Sequence, residues 1–225
     1  MTRTRSAFAL ILAMLATSAL AQDWRGMLKQ TDKDLRAQRY AEARKTSIKL
    51  INSMMDNLNR GQNQVYTLAL TVAYRAVAEA GLGRQEEADW YWHVARSMYP
   101  KLDVTPYGEA GAWLIAHSAE RVETTGAAPT ADIRQPVCVK RKNPKYPLGA
   151  VVGNVAEPIV VRVVIDRDGT VRHPSLVTSS AAPTLVYAAT EAVKKWQFQP
   201  ATVDGQVSAM EFNLTVNFAQ AEAGE

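Results

Sequence analysis

VRVVIDRDGTV, residues 161–171, decides the fold of the last third of this 225-residue chain. Ile159, Val161, Val163 and Ile165 alternate with Val160, Arg162 and Val164, the period of two that marks a strand. Asp168-Gly169 then breaks the run, because Gly tolerates the positive φ that a tight hairpin needs. A return strand follows over 170–178. Pro174 within it cannot donate to a ladder, so this strand belongs at an edge or carries a bulge.

Further along, Leu185, Ala189, Ala192, Val193 and Trp196 share one face at helical spacing. The stretch MEFNLTVNF, 210–218, is the cleanest alternation in the chain. Met210, Phe212, Leu214, Val216 and Phe218 point one way, and Glu211, Asn213, Thr215 and Asn217 the other. One face therefore packs on the helix and one meets water. Such a ββαβ unit has a small core and unpaired edges. An open edge offers backbone donors and acceptors to an extended peptide. The last strand can equally complete the sheet alone, or within a homodimer.

Four landmarks occur in order: NPKYP (143–147), VRVVIDRDGTV (161–171), KKWQFQP (194–200) and MEFNLTVNF (210–218). Together they resemble the C-terminal domain of the TonB family of periplasmic energy transducers. The resemblance implies binding by a lent sheet edge and no covalent chemistry. It implies that Met210, Glu211, Phe212, Asn213, Leu214, Thr215, Val216, Asn217 and Phe218 pair with a short segment of an outer-membrane receptor. Tyr146 and Pro147 match the family's lead-in motif, which lies near the bound peptide. Read alone, they form a Pro-stiffened linker into the first strand.

The opposite end addresses the compartment. Arg3 and Arg5 precede the uncharged run 7–21, which closes on Ala19-Leu20-Ala21. A basic start, an apolar core and an A-x-A ending describe a secretory signal peptide, 1–21, cleaved before Gln22. As a helix the run reaches roughly 22 Å, short of a bilayer core of about 30 Å. With the bacterial origin that the resemblance implies, the destination is the periplasm. A transducer of the family instead keeps its first helix in the inner membrane, meets a motor there through a His and a Ser, and carries a long Pro-rich spacer. The run 7–21 has no His, and the stretch 122–136 holds only Pro129 and Pro136. Two other readings stand beside a diffusible binder. One is a membrane-anchored transducer coupling the proton motive force to outer-membrane transport. The other is a structural envelope protein associated with peptidoglycan.

Composition narrows the function classes. The formal charge of +4 falls to +2 when Arg3 and Arg5 leave, which argues against an electrostatic nucleic-acid binder. Lys140, Arg141, Lys142 and Lys145 cluster locally and read as a solvated linker. The single cysteine, Cys138, permits no internal disulfide and reads as a buried residue at a strand start. No cofactor fingerprint appears. His93, His117 and His173 fall in different expected elements, and none has metal-ligand spacing with another. Asp166, Asp168 and Gly169 fit a hairpin turn, since the calcium-loop pattern fails at Val177. The chain is not expected to be an enzyme.

Residues 22–123 read as all-helical, with helices near 24–37, 40–57, 64–80, 84–98 and 107–121 and Gly81 and Gly83 placed as C-caps. RYAEA (39–43) and RQEEA (84–88) are related openings, and Ala88, Ala95 and Pro100 keep the spacing of a tetratricopeptide repeat's second helix. This domain is similar to such repeats, whose concave face offers a site for a second protein partner. Trp90, Tyr91, Trp92, Tyr99, Tyr107 and Trp113 supply its aromatics. Trp92 is expected inward. Trp90 and Tyr91 lie about 100° apart on the helix, so one of them is expected to be exposed. The expected architecture is α+β: helical hairpins over 22–123, a linker over 124–142, a ββαβ domain over 143–220 and a disordered tail over 221–225.

Overall fold

The computed structural model describes residues 23–57, 65–118, 132–147, 158–177 and 182–218. The run read as a signal peptide, the linker's first part (124–131) and the tail lie outside these residues. No helix among the described residues is long and apolar enough to cross a membrane.

Five helices form the N-terminal part: α1 (23–36), α2 (Tyr40–Asn57), α3 (Val65–Gly81), α4 (Gln85–Met98) and α5 (Gly108–His117). Their positions follow the sequence reading within a few residues. α3 is the hub, packing against α2, α4 and α5, and it is apolar almost all round, with Leu68, Ala69, Val72, Ala73, Ala76 and Val77 fully buried. Its end shows why two nearby glycines are needed. Gly83, at φ +71°, takes the left-handed cap, and the Arg84 amide donates to the Glu79 carbonyl at 2.9 Å. Gly81 instead lies under the Tyr40 ring, which a Cβ would strike.

A buried carboxylate ties this part together. Glu79 is fully enclosed, with Arg44 Nε of α2 at 2.7 Å and Arg75 Nε at 3.6 Å from Oε1, and Arg84 Nη1 at 3.6 Å from Oε2. At the other end, the Tyr107 hydroxyl donates to Asp32 of α1 at 2.8 Å. Burial pushes the Asp32 carboxyl up, but hydrogen bonds from Arg36 and Tyr107 outweigh it and hold the group below its ordinary range.

The C-terminal part is built on a three-stranded antiparallel sheet of order β4-β3-β8: β3 (Ile159–Ile165), β4 (Val171–Leu176) and β8 (Met210–Val216). Helix α6 (Pro183–Val193) packs on all three strands. Its face carries Leu185, Ala189 and Val193, with Tyr187 also buried, against Ile159, Val161, Val163, Ile165, Leu214 and Val216. The Asp-Gly hairpin forms as expected. Gly169 sits at φ +81°, and Asp168 Oδ1 accepts from the amide of Thr170 at 2.9 Å and from its hydroxyl at 2.6 Å. Pro174 lies on an edge strand beside a register shift opposite Arg162 and Val164, and its neighbour His173 takes φ +46°. Both features of the Pro174 reading are present.

Several elements differ from the expectation. The stretch 124–142 supplies β1 (Ile133–Arg134) and β2 (Val137–Lys140), which pair with β6 (Ala201–Val203) and β5 (Gln197–Gln199). β6 also forms a hairpin with β7 (Gln206–Ser208). Cys138, expected to be buried, is exposed, because among the described residues β2 has β5 alone as its strand neighbour and all four of its residues face solvent. Trp90 and Tyr91, one of which was expected outside, are both buried, as are Trp92 and Tyr107. The reason is that α4 is covered from two directions. One side meets α3 and α5, and another meets β4 and α6.

That second contact joins the two parts into one continuous core. Arg172 Nη2 of β4 donates to Glu86 at 3.1 Å, Lys194 pairs with Glu87, and Arg75 Nη1 donates to the Tyr187 hydroxyl at 3.1 Å. The Arg75 guanidinium lies 3.7 Å from the Tyr91 ring centre, a cation–π contact that covers the ring exposed in a free helix.

Candidate functional site

The two edges of the β4-β3-β8 sheet differ. α4 packs against β4, whereas β8 has β3 as its sole strand neighbour among the described residues. The register fixes what the outer edge of β8 presents. The Val160 carbonyl turns toward β4, where it accepts from the Val177 amide at 3.0 Å. Its partner across the other ladder, Thr215, therefore sits in a non-hydrogen-bonded pair and turns its amide and carbonyl away from β3. The alternation carries to Asn213 and Glu211. Their backbone groups form an outward row, while Met210, Phe212, Leu214 and Val216 hold the ladder to β3.

Side chains follow the expected parity. Leu214 and Val216 are buried and Phe212 partly so, against exposed Glu211, Asn213, Thr215 and Asn217. Phe218 is half-buried and meets Tyr146, ring centres 5.4 Å apart in an edge-to-face contact. Tyr146 is thus brought to the C-terminal end of β8, and both it and the adjoining Pro147 are half-buried.

The lead-in segment is held in place by Trp196. Its indole Nε1 donates to the Lys142 carbonyl at 3.0 Å, and the Arg141 guanidinium lies 4.6 Å from its ring centre. Arg141 also donates to Asn143 Oδ1 at 3.0 Å and, through Nη2, to the outward Thr215 carbonyl at 3.3 Å. Sequence reasoning missed Arg141, which was grouped with a solvated basic cluster. Its position two residues before NPKYP was the one available signal.

The arrangement carries hydrogen-bonding edge groups, an aromatic pair at one end and a cation at the same end. An edge of this kind has the groups to hydrogen-bond an extended backbone. The three histidines were expected to stay apart, yet the fold brings His93 and His173 together across the α4–β4 contact, His93 Nε2 lying 3.1 Å from His173 Nδ1. That cluster stands on the far side of the sheet order from β8.

Over residues 142–219 the chain matches the family described as Gram-negative bacterial TonB protein C-terminal. Two relatives named Protein TonB, from two strains of Xanthomonas campestris pv. campestris, are each 38% identical over 92 residues, covering 40% of this chain and 41% of theirs. The chain thus spans about two-fifths of the length of these curated relatives. No solved structure gives a significant match.

Proposed function

We propose that this protein, whose residues 142–219 are a TonB-type C-terminal domain, is a non-enzymatic periplasmic binder that takes an extended partner segment onto the outer edge of β8. The partner class is an outer-membrane receptor of the transport systems that TonB-family domains serve. Backbone groups of Glu211, Asn213 and Thr215 make the pairing. Their outward side chains tune the choice of segment, with Tyr146, Pro147 and Phe218 closing one end. The observation that supports this reading is the outward backbone row of β8 on a sheet whose other edge strand packs against α4. The helical hairpins, similar to tetratricopeptide repeats, orient the domain or recruit a second protein partner.

The register supplies a selective test. Proline at 213 removes an amide that points outward, so the β3 ladder keeps its bonds. A lost donor opposite a desolvated carbonyl costs about 1–3 kcal/mol, so Asn213→Pro should weaken binding about fivefold or more. The assay is fluorescence anisotropy with a labelled peptide copying the periplasmic segment of a host outer-membrane receptor. Circular dichroism checks that the variant is folded. Wild-type affinity in a folded Asn213→Pro protein would exclude β8 as the docking edge.

A further inference from the structure

Asp89 and His93 lie one helical turn apart on α4, so both project from the same face. His173 meets them from β4, at the register shift where φ turns positive. His93 Nε2 and His173 Nδ1 are 3.1 Å apart. Each also stands 3.3 Å from a different oxygen of the Asp89 carboxylate.

These distances describe a coordination set. A tetrahedral ion with ligands at about 2.0–2.1 Å holds its donors about 3.3–3.4 Å apart; the two ring nitrogens are close to that, and with one carboxylate oxygen the three ligand atoms all lie within 4.8 Å of one another. The two His–Asp approaches are longer than a charge-assisted hydrogen bond, which closes to about 2.7–2.9 Å. The side chains are 21–22% exposed, which leaves one side open to water as a fourth ligand. The neighbouring Arg172 cation is engaged by Glu86 and by Asp166, the latter at 2.8 Å, so its charge is balanced beside the site.

We infer that Asp89, His93 and His173 bind one divalent transition-metal ion of the zinc class. Two imidazoles and a carboxylate suit such an ion better than magnesium or calcium, which favour all-oxygen shells. Two ligands come from α4 and one from β4, so the ion fastens the helical part to the sheet. The role is structural.

The test uses tag-free full chain, because an added histidine tag would mask the result. Zinc chloride is titrated calorimetrically, and bound metal is counted after dialysis. One zinc per chain is expected, with affinity reduced by about 100-fold or more in His93→Ala and in His173→Ala. His117→Ala is the control. That histidine lies on α5 with Nδ1 2.8 Å from the Trp113 carbonyl, and its loss should leave zinc uptake unchanged. If either alanine variant is misfolded by circular dichroism, cobalt(II) absorption of the wild type decides. Intense d–d bands of a four- or five-coordinate site support the assignment, and the weak bands of an octahedral ion overturn it. Absence of stoichiometric uptake, or uptake that survives His173→Ala in a folded protein, also overturns it.

Discussion

Replacing Glu79 by Gln keeps the shape of the side chain and removes the anion on which Arg44, Arg75 and Arg84 converge. Losing one partner of a buried ion pair costs about 3–5 kcal/mol, because the other charge stays desolvated. Exposure of the three cations selects within that range. The Arg44 and Arg84 side chains are 33% and 53% exposed and can turn to water, whereas Arg75, at 13%, cannot. The lower end, about 3 kcal/mol, is therefore expected. For a chain of this size each kcal/mol lowers Tm by about 2–4 °C, so Glu79→Gln should melt about 6–12 °C below wild type. Differential scanning calorimetry at neutral pH measures this directly. The neutral pair Glu79→Gln with Arg75→Met should recover part of the loss, since no unpaired buried cation remains. A Tm within 2 °C of wild type would refute the view that the carboxylate organises the α2–α3–α4 junction.

Two glycines in left-handed turns make a matched comparison. Gly169→Ala places a Cβ against the Phe198 carbonyl and should cost well over 2 kcal/mol, while Gly205→Ala, at φ +78° with open space around it, should cost only about 1–2 kcal/mol; urea denaturation ranks them, and equal losses would contradict the docked turn. Asp32 has a depressed carboxyl in the folded protein, so its contribution is full above the ordinary carboxylate pKa and is lost as pH falls through the folded value. Tyr107→Phe removes one of the hydrogen bonds that lower it, so the Tm advantage of wild type over this variant should shrink between pH 5 and pH 2; a constant difference would remove Asp32 from the account. Exposed Cys138 should react with a thiol reagent in the native protein as fast as in urea, and Cys138→Ser should change stability by no more than about 0.5 kcal/mol; slow native labelling would place the thiol inside.

β3 and β8 were legible because each has one face in the core over seven residues, so the period of two repeats often enough to be seen. The same parity fixed which β8 side chains face out. The five strands β1, β2, β5, β6 and β7 span two to four residues each, too few for a period to declare itself. Trp90 and Tyr91 misled for a different reason. An amphipathic pattern assumes one buried face, and α4 has two, one of them supplied by residues some eighty positions later, such as His173. Arg141 was hidden likewise, because its partners Trp196 and Thr215 reach it only through the fold.

The unequal edges of the central sheet have a consequence for assembly. A short sheet open on both sides is a template that can extend without limit, each added copy presenting a fresh edge to the next. Here the β4 side abuts a helix, which leaves β8 as the outer strand of this sheet among the described residues. A second copy that met it β8 to β8 would close the series with its first addition, since the remaining edge strand of each copy is covered by α4. Covering one edge thus guards a small β-rich domain against fibre growth.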